Sequence, residues 1–376
     1  MTFEIMRAKT IDLFGSPLTS QQDSNAQLNK KEALDGKIIL DSYPRRLVLE
    51  LTNACNLNCI MCGRDESGFA GNFFDINYLY RLEPVLSYVE EVTLFGWGEP
   101  TIHPKFKDII ELLNKYPVKK YFVTNGTTLH KIEDLLFDCK VDIMAVSLDG
   151  ACEATNDKIR RGASFNKIVS SLKKITARKR EHRLDYPYIN FVMTLMQSNL
   201  CELPEMVDLA AAIGLEEVKA VYLTAFNREL ADEALWNNTD DVRKVFAETI
   251  KRGESSGIKI KLPYIQGEDI AGEKFHKDCF VGWRDFFIGS DGHVRPCQST
   301  PRKMFHISKY NDFKQAWNSS EMIGFRSGVN DGDKMWDECK RCYQSSHANW
   351  NKKSSFLQMG QKFAPEWDGG INDRRS

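Results

Sequence analysis

The chain has 376 residues, 42% of them hydrophobic, with 51 basic and 52 acidic side chains and a net charge of −1. That length exceeds one ordinary domain unless it holds a barrel-type α/β unit of roughly 200–250 residues. Balanced charge gives no ground for a nucleic-acid or membrane-surface partner, and no apolar run reaches membrane-spanning length. The opening MTFEIMRAKTIDLFG lacks a compact apolar segment with a small-residue cleavage site, so the chain reads as cytoplasmic. In that compartment clustered cysteines point to metal or redox chemistry rather than disulfides.

Residues 1–44 read as a polar N-terminal extension, with SPLTSQQDSNAQ as a flexible piece. From Pro44 strands and helices alternate. Strands are predicted at 46–52, 91–95, 120–124, 143–148, 188–194 and 218–223, and helices at 76–90, 105–114, 131–137, 165–180, 203–213 and 239–255. Six βα units imply a parallel sheet, which right-handed crossovers curl into a partial (β/α)6 TIM-type barrel over 45–262. Such a fold places its site at the C-terminal ends of the strands. After 258–263 the pattern changes. FFIG and HVRP flank Ser290-Asp291-Gly292, a hairpin turn, and a short helix is predicted over 313–317. Residues 263–376 are therefore expected to form a cysteine-rich auxiliary domain and tail.

Three of the ten cysteines, Cys55, Cys59 and Cys62, fall on the loop leaving the first strand, spaced C-x3-C-x2-C. Three thiolates hold three corners of an iron–sulfur cube and leave one iron open. A structural zinc wants four closed ligands, and no fourth Cys or His lies nearby in sequence. Four later cysteines, Cys279, Cys297, Cys339 and Cys342, have a spacing that suits either a zinc ion or a second cluster.

CNLNCIMC after the first strand, GWGEP after the second, TNG after the third and SLDG after the fourth, in that order, resemble the radical S-adenosylmethionine (SAM) superfamily. The resemblance implies a [4Fe–4S] cluster on Cys55, Cys59 and Cys62, SAM chelated through its amine and carboxylate to the open iron, and reductive cleavage to a 5′-deoxyadenosyl radical. It implies SAM contacts from Gly96, Gly98, Glu99, Asn125, Ser147 and Arg160, with 218–221 beside adenine. Met61 stands where many members have an aromatic residue. Cys279, Gly292 and Cys297 fit the C-x9–15-G-x4-C opening of the auxiliary-cluster domains called SPASM and Twitch. No cysteine follows Cys342, which favours the shorter Twitch type with one auxiliary [4Fe–4S] cluster. The arrangement is similar to that of 2-deoxy-scyllo-inosamine dehydrogenase-like enzymes.

On that resemblance the expected function is a radical SAM oxidoreductase. It would oxidise an alcohol of a small polar substrate, such as an amino sugar or cyclitol. An auxiliary cluster over the barrel mouth would accept the electron, and a flavodoxin or ferredoxin would supply the reductant. The alternative is peptide modification or epimerisation, with Cys152 as a thiol hydrogen donor. Cys139 reads as a small buried hydrophobe, and Cys201 is ranked below Cys152. Asp149 serves either a turn or the site. Glu229 and Asp232 are guesses for a base. Arg284, His293 and Arg295 are candidates for the mouth, and Trp283, Trp336 and Trp350 for core or lid.

Overall fold

The computed structural model describes residues 17–64, 71–225, 229–235, 238–263, 265, 279–297, 300, 302–337 and 339. Cys342 and Trp350 lie outside the described residues. The strands are β1 Arg46–Leu49, β2 Asn58–Cys59, β3 Glu91–Leu94, β4 Lys119–Thr124, β5 Ile143–Ser147, β6 Arg160–Arg161, β7 Tyr188–Leu195, β8 Glu217–Tyr222, β9 Lys259–Lys261, β10 Asp285–Ile288, β11 His293–Arg295 and β12 Phe305–His306. The helices are α1 Ser20–Leu34, α2 Ile76–Tyr80, α3 Glu83–Leu86, α4 Phe106–Leu113, α5 Leu129–Asp138, α6 Glu153–Ile159, α7 Phe165–Glu181, α8 Leu203–Ile213, α9 Thr239–Ser256, α10 Val281–Arg284, α11 Phe313–Trp317 and α12 Ser320–Gly328.

One sheet runs in the order β12-β11-β10-β1-β3-β4-β5-β7-β8-β9. Every neighbouring pair from β10 to β9 is parallel, and only the β10–β11–β12 meander is antiparallel. The architecture is thus a partial α/β barrel, with additions at both edges. β9, taken from sequence as the end of the pattern, pairs with β8. β10, from the cysteine-rich segment, pairs with β1. Period-two alternation sorts the strand side chains. Phe122, Met144, Val146, Ile189, Phe191, Met193, Val218, Ala220 and Tyr222 face the helices in the main core, while Tyr121, Ile143, Ala145 and Tyr188 form a separate cluster inside the barrel. Each fully buried large side chain on the helix side contributes on the order of 1.5–3 kcal/mol.

The expected flexible piece near the N-terminus is corrected. Residues 20–34 form a helix, α1, opened by a Thr19–Gln22 capping box. Its buried face is polar: Gln22, Asn25, Asn29 and Glu32 are all at most 6% exposed. Gln22 Nε2 donates to the Val89 and Pro117 carbonyls (2.8 Å each), and Asn29 Nδ2 donates to Trp283 O (2.8 Å). Tyr43 N donates to Asn25 Oδ1 (2.7 Å). Glu32 accepts from Lys37 Nζ, Asp41 N and Ser42 N at 2.8–3.0 Å. Burial raises the Glu32 pKa, but these donors outweigh it and hold the carboxyl at about 2. A helix that docks by hydrogen bonds to loop backbone has no apolar stripe to betray it in sequence.

Candidate active site

The cysteine loop leaves the end of β1 and is gripped from three sides. First, β2 pairs antiparallel with β6, so Cys59 lies opposite Arg160, and Ile60 N donates to Ile159 O (3.0 Å). Second, Gly98 N and Glu99 N of the GWGEP loop donate to Thr52 O (3.1 Å) and Ala54 O (2.9 Å). Third, Asn125 Nδ2 donates to Asn56 Oδ1 (2.9 Å) and lies 3.7 Å from Cys55 Sγ. Within the loop, Leu57 N donates to Cys55 Sγ (3.4 Å) and Cys62 N to Cys59 O (3.2 Å).

These contacts change the reason for two of the expected site residues. A Cβ on Gly98 would lie within 3.0 Å of the Ala54 and Thr52 carbonyl oxygens, and one on Gly96 within 3.0 Å of Glu50. Both glycines also admit the chain's own cysteine loop and its base, beside the expected approach to a ligand. Glu99 is 3% exposed, and its carboxylate is engaged within the protein. Oε1 accepts from Thr101 N (3.1 Å), Thr101 Oγ1 (2.5 Å) and Thr124 Oγ1 (2.8 Å); Oε2 accepts from Asn125 N (2.6 Å). Burial pushes the Glu99 carboxyl up, against those donors. Glu99 therefore ties the second strand-end motif to the third. Asn125 Oδ1 accepts from Thr127 N (3.0 Å) and Thr127 Oγ1 (2.7 Å), closing its own turn.

Arg160 and Asp149 are brought together. Arg160 Nε stands 2.7 Å from Asp149 Oδ2, both nearly excluded from solvent, and Arg160 Nη1 reaches to 4.0 Å from Cys59 Sγ. Burial opposes both charges, yet Asp149 and Cys59 hold the guanidinium above its ordinary value. Asp149 is pinned in turn, with Oδ1 accepting from Thr194 N (2.7 Å) and its carbonyl from Asn199 Nδ2 (3.0 Å). Burial pushes the Cys59 thiol up to about 11, with Arg160 opposing, and it also raises Cys62. Among the described residues no three His, Cys, Asp or Glu side chains converge on a single ion. Three separate thiols beside a buried cation and an amide suit a cluster whose irons each take one sulfur, and loading it displaces their protons.

Sequence reasoning missed Glu50. This carboxylate, 0% exposed, ends the apolar run of β1. It accepts from Trp97 N (3.0 Å), Ser290 N (3.0 Å) and Ser290 Oγ (2.8 Å). It therefore joins the cysteine-loop strand, the GWGEP loop and the β10–β11 turn. The available signal was a charge at an inward strand position with no sequence neighbour to pair it.

The hairpin is as expected, with Gly292 at φ +74° in its turn. Its orientation places two of the later cysteines, Cys279 and Cys297, relative to the barrel. Ile288 pairs with Leu49, so the Ser290-Asp291-Gly292 turn lies at the cysteine-loop end of the strands. Cys279 precedes α10 and β10, and Cys297 follows β11, so both lie on the side of the hairpin's open end and away from its turn. Arg284, at that same end, is paired with Asp285 (2.7 Å) and is not at the mouth. Cys279, Cys297 and Cys339 are each half-buried.

Ser147 stands half-buried at the end of β5. Cys152 and Cys201 are exposed, and Cys152 Sγ lies 3.8 Å from Glu202 Oε2. Cys139 is buried, as expected. Glu229 and Asp232 are exposed on the loop before α9. His293 and Arg295 face Asp291 of the hairpin turn, at 3.4 and 3.3 Å. Trp283 is 3% exposed in the core. Trp336 packs at its edge under Arg302, 4.5 Å from the ring centroid.

Residues 49–210 match the model of the radical SAM superfamily, and residues 279–343 that of the iron–sulfur cluster-binding domain SPASM. The AdoMet-dependent heme synthase of Methanosarcina barkeri is 25% identical, the match covering 81% of this chain and 90% of that protein. The tungsten-containing aldehyde ferredoxin oxidoreductase cofactor-modifying protein of Pyrococcus furiosus is 27% identical over 67% of this chain and 70% of its own. The subtilosin biosynthesis protein AlbA of Bacillus subtilis is 24% identical over 74% and 60%. In fold, Streptococcus suis SuiB bound to S-adenosylmethionine superposes with a TM-score of 0.65 at 14% identity, covering 88% of this chain and 81% of that one. No helix among the described residues is long and apolar enough to cross a membrane. The chain therefore carries a radical SAM domain over residues 49–210 and a SPASM domain over residues 279–343, and these domains imply S-adenosylmethionine, a [4Fe–4S] cluster and auxiliary iron–sulfur as its cofactors.

Proposed function

We propose that the enzyme oxidises a small polar substrate held in the barrel cup, at a carbon bearing a hydroxyl group. Cys55, Cys59 and Cys62 hold the SAM-binding cluster; Cys279, Cys297, Cys339 and Cys342 hold one auxiliary cluster. A cluster held by Cys55, Cys59 and Cys62 would supply the reducing electron for radical chemistry on bound S-adenosylmethionine, directed at a carbon–hydrogen bond of the substrate. Asn125 and the GWGEP backbone keep the cysteine loop in place, and Arg160, oriented by Asp149, sets a positive charge beside it.

The observation that supports this reading is the orientation of the β10–β11 hairpin, which points its turn toward the cysteine loop and keeps Cys279 and Cys297 at its other end, as suits an electron acceptor set back from the reacting carbon. A cluster with four protein thiolates has no vacant iron, which fits an electron acceptor. Anaerobic reconstitution should give about eight irons per chain. Incubation with a panel of amino sugars and cyclitols, SAM and dithionite should give a product two hydrogens lighter. Four irons plus one zinc would defeat the acceptor role.

A second reading, modification of a peptide, is favoured by the relatives named for bacteriocin and mycofactocin maturation. It predicts no oxidation of any panel member. For an epimerase using Cys152 it further predicts solvent deuterium gained at carbon and lost in Cys152→Ala.

A further inference from the structure

The inner wall of the barrel carries an amine, that of Lys219, with no ion pair among the described residues. On β8, Val218, Ala220 and Tyr222 enter the core between sheet and helices, so Glu217, Lys219 and Val221 point into the barrel. Register places Ser147, Val192, Lys219 and Lys261 in one row across β5, β7, β8 and β9. The row below is closed: Ala145, Asn190 and Glu217 are at most 5% exposed. Ser147, Val192 and Lys219 are half-buried, so this row forms the accessible floor of a cup opening toward the strand ends.

Among the described residues the carboxylate that acts on Lys219 is Glu217, and it is committed elsewhere. Glu217 accepts from Lys261 Nζ (2.9 Å) and from the Tyr188 hydroxyl (3.0 Å). Lys259 lies over the Tyr188 ring, 5.6 Å from its centroid. Of the row's other members, Ser147 and Val192 carry no charge, and Lys261 carries a like charge that Glu217 already pairs. Among the described residues Lys219 Nζ has no hydrogen bond and no ion pair. A lysine at the floor of a cup, without a counter-ion, is a group waiting for a ligand or a proton.

We propose that Lys219 is a catalytic residue that accepts the substrate's hydroxyl proton. The inference rests on the cup being the substrate site, as read above. Once the carbon has lost its hydrogen atom, the O–H bond breaks and an N–H bond forms on Nζ. The O–H electron pair stays on oxygen, leaving a ketyl radical anion. Completing the oxidation to a ketone takes a one-electron acceptor for the ketyl, the chemistry that an auxiliary iron–sulfur cluster held by the SPASM cysteines would supply. Burial and the nearby Lys261 ammonium both push the Lys219 amine down, while Glu217 opposes them. A lowered amine pKa is what a base needs near neutral pH.

The test is competitive acetylation of the reconstituted, unaltered enzyme with acetic anhydride at graded pH, read lysine by lysine by mass spectrometry. Lys244, whose side chain is 76% exposed on α9, is the internal reference. Lys219 should react with a midpoint at least one pH unit below that of Lys244, roughly a tenfold excess of neutral amine below both midpoints. An equal or higher midpoint, or no reaction where Lys244 reacts, overturns the proposal. With any panel member that is oxidised, Lys219→Arg should keep forming 5′-deoxyadenosine but lose product at least tenfold; undiminished product also overturns it. If no panel member is oxidised, the alcohol-oxidation reading fails, while acetylation still decides the state and access of Lys219.

Discussion

Glu50 allows a worked forecast. Its carboxylate serves three donors, Trp97 N, Ser290 N and Ser290 Oγ, at 2.8–3.0 Å in a fully buried position. Glu50→Ala removes the acceptor and leaves those donors without it, at about 1–3 kcal/mol each. Allowing for relaxation, the loss should be ~4 kcal/mol, a large part of the roughly 5–15 kcal/mol of a typical fold. Glu50→Gln keeps one acceptor oxygen but turns an NH2 toward the other donors, so it should cost ~2 kcal/mol. Ser290→Ala loses a single hydroxyl bond, ~1 kcal/mol. Denaturant midpoints of the three variants and the double variant test this, with a coupling of at least ~0.5 kcal/mol expected between Glu50→Gln and Ser290→Ala. Hydrogen exchange at the Trp97 and Ser290 amides should quicken in Glu50→Gln, about thirtyfold for ~2 kcal/mol. If Glu50→Gln stays within ~0.5 kcal/mol of the parent and exchange is unchanged, the carboxylate does not join the three elements.

Replacing Cys55, Cys59 and Cys62 together with Ala should halve the iron content, from about eight to about four per chain, and abolish 5′-deoxyadenosine formation. Persistence of that product would remove the SAM-cluster assignment. Gly98→Ala drives a methyl group into the Thr52 and Ala54 carbonyls, with no flexible side chain to yield. It should lower the denaturation midpoint by the equivalent of at least ~2 kcal/mol and reduce iron uptake; normal values for both would contradict the close approach. Glu32 has its folded pKa depressed from 4.5 to about 2. Its stabilisation is therefore full above pH ~4.5 and is lost as pH falls toward ~2. Glu32→Gln should flatten the pH dependence of stability across that window; an unchanged slope would show that its donors are not retained in solution.

Much of the barrel was legible because each βα unit announces itself by period. Apolar alternation at 120–124, 143–148, 188–194 and 218–223 can be satisfied only with two packed faces, and β4, β5, β7 and β8 fall there. The four strand-end motifs were legible for a related reason: cysteines, glycines and short polar residues are unusual at the end of an apolar run. What those residues touch was not legible. Gly96, Gly98, Glu99 and Asn125 looked outward to a ligand, yet each also holds the cysteine loop or its base, through contacts that span 44 to 69 residues of sequence. α1 was missed because its docking face is amide and carboxylate, bonding to backbone that no hydropathy pattern encodes.

By itself the sequence determined the chemistry on offer: three thiols on one loop, four more downstream, and a parallel barrel to carry them. Those follow from residue type and local period. Only the tertiary structure decided direction and pairing. β10 docks on β1 with its turn, not its cysteines, toward the SAM loop. Glu217 is taken by Lys261 and Tyr188, so Lys219 faces the cup with no ion pair among the described residues. Such outcomes depend on strand register and on which of several nearby groups satisfies a buried charge, and these are set by the whole fold at once.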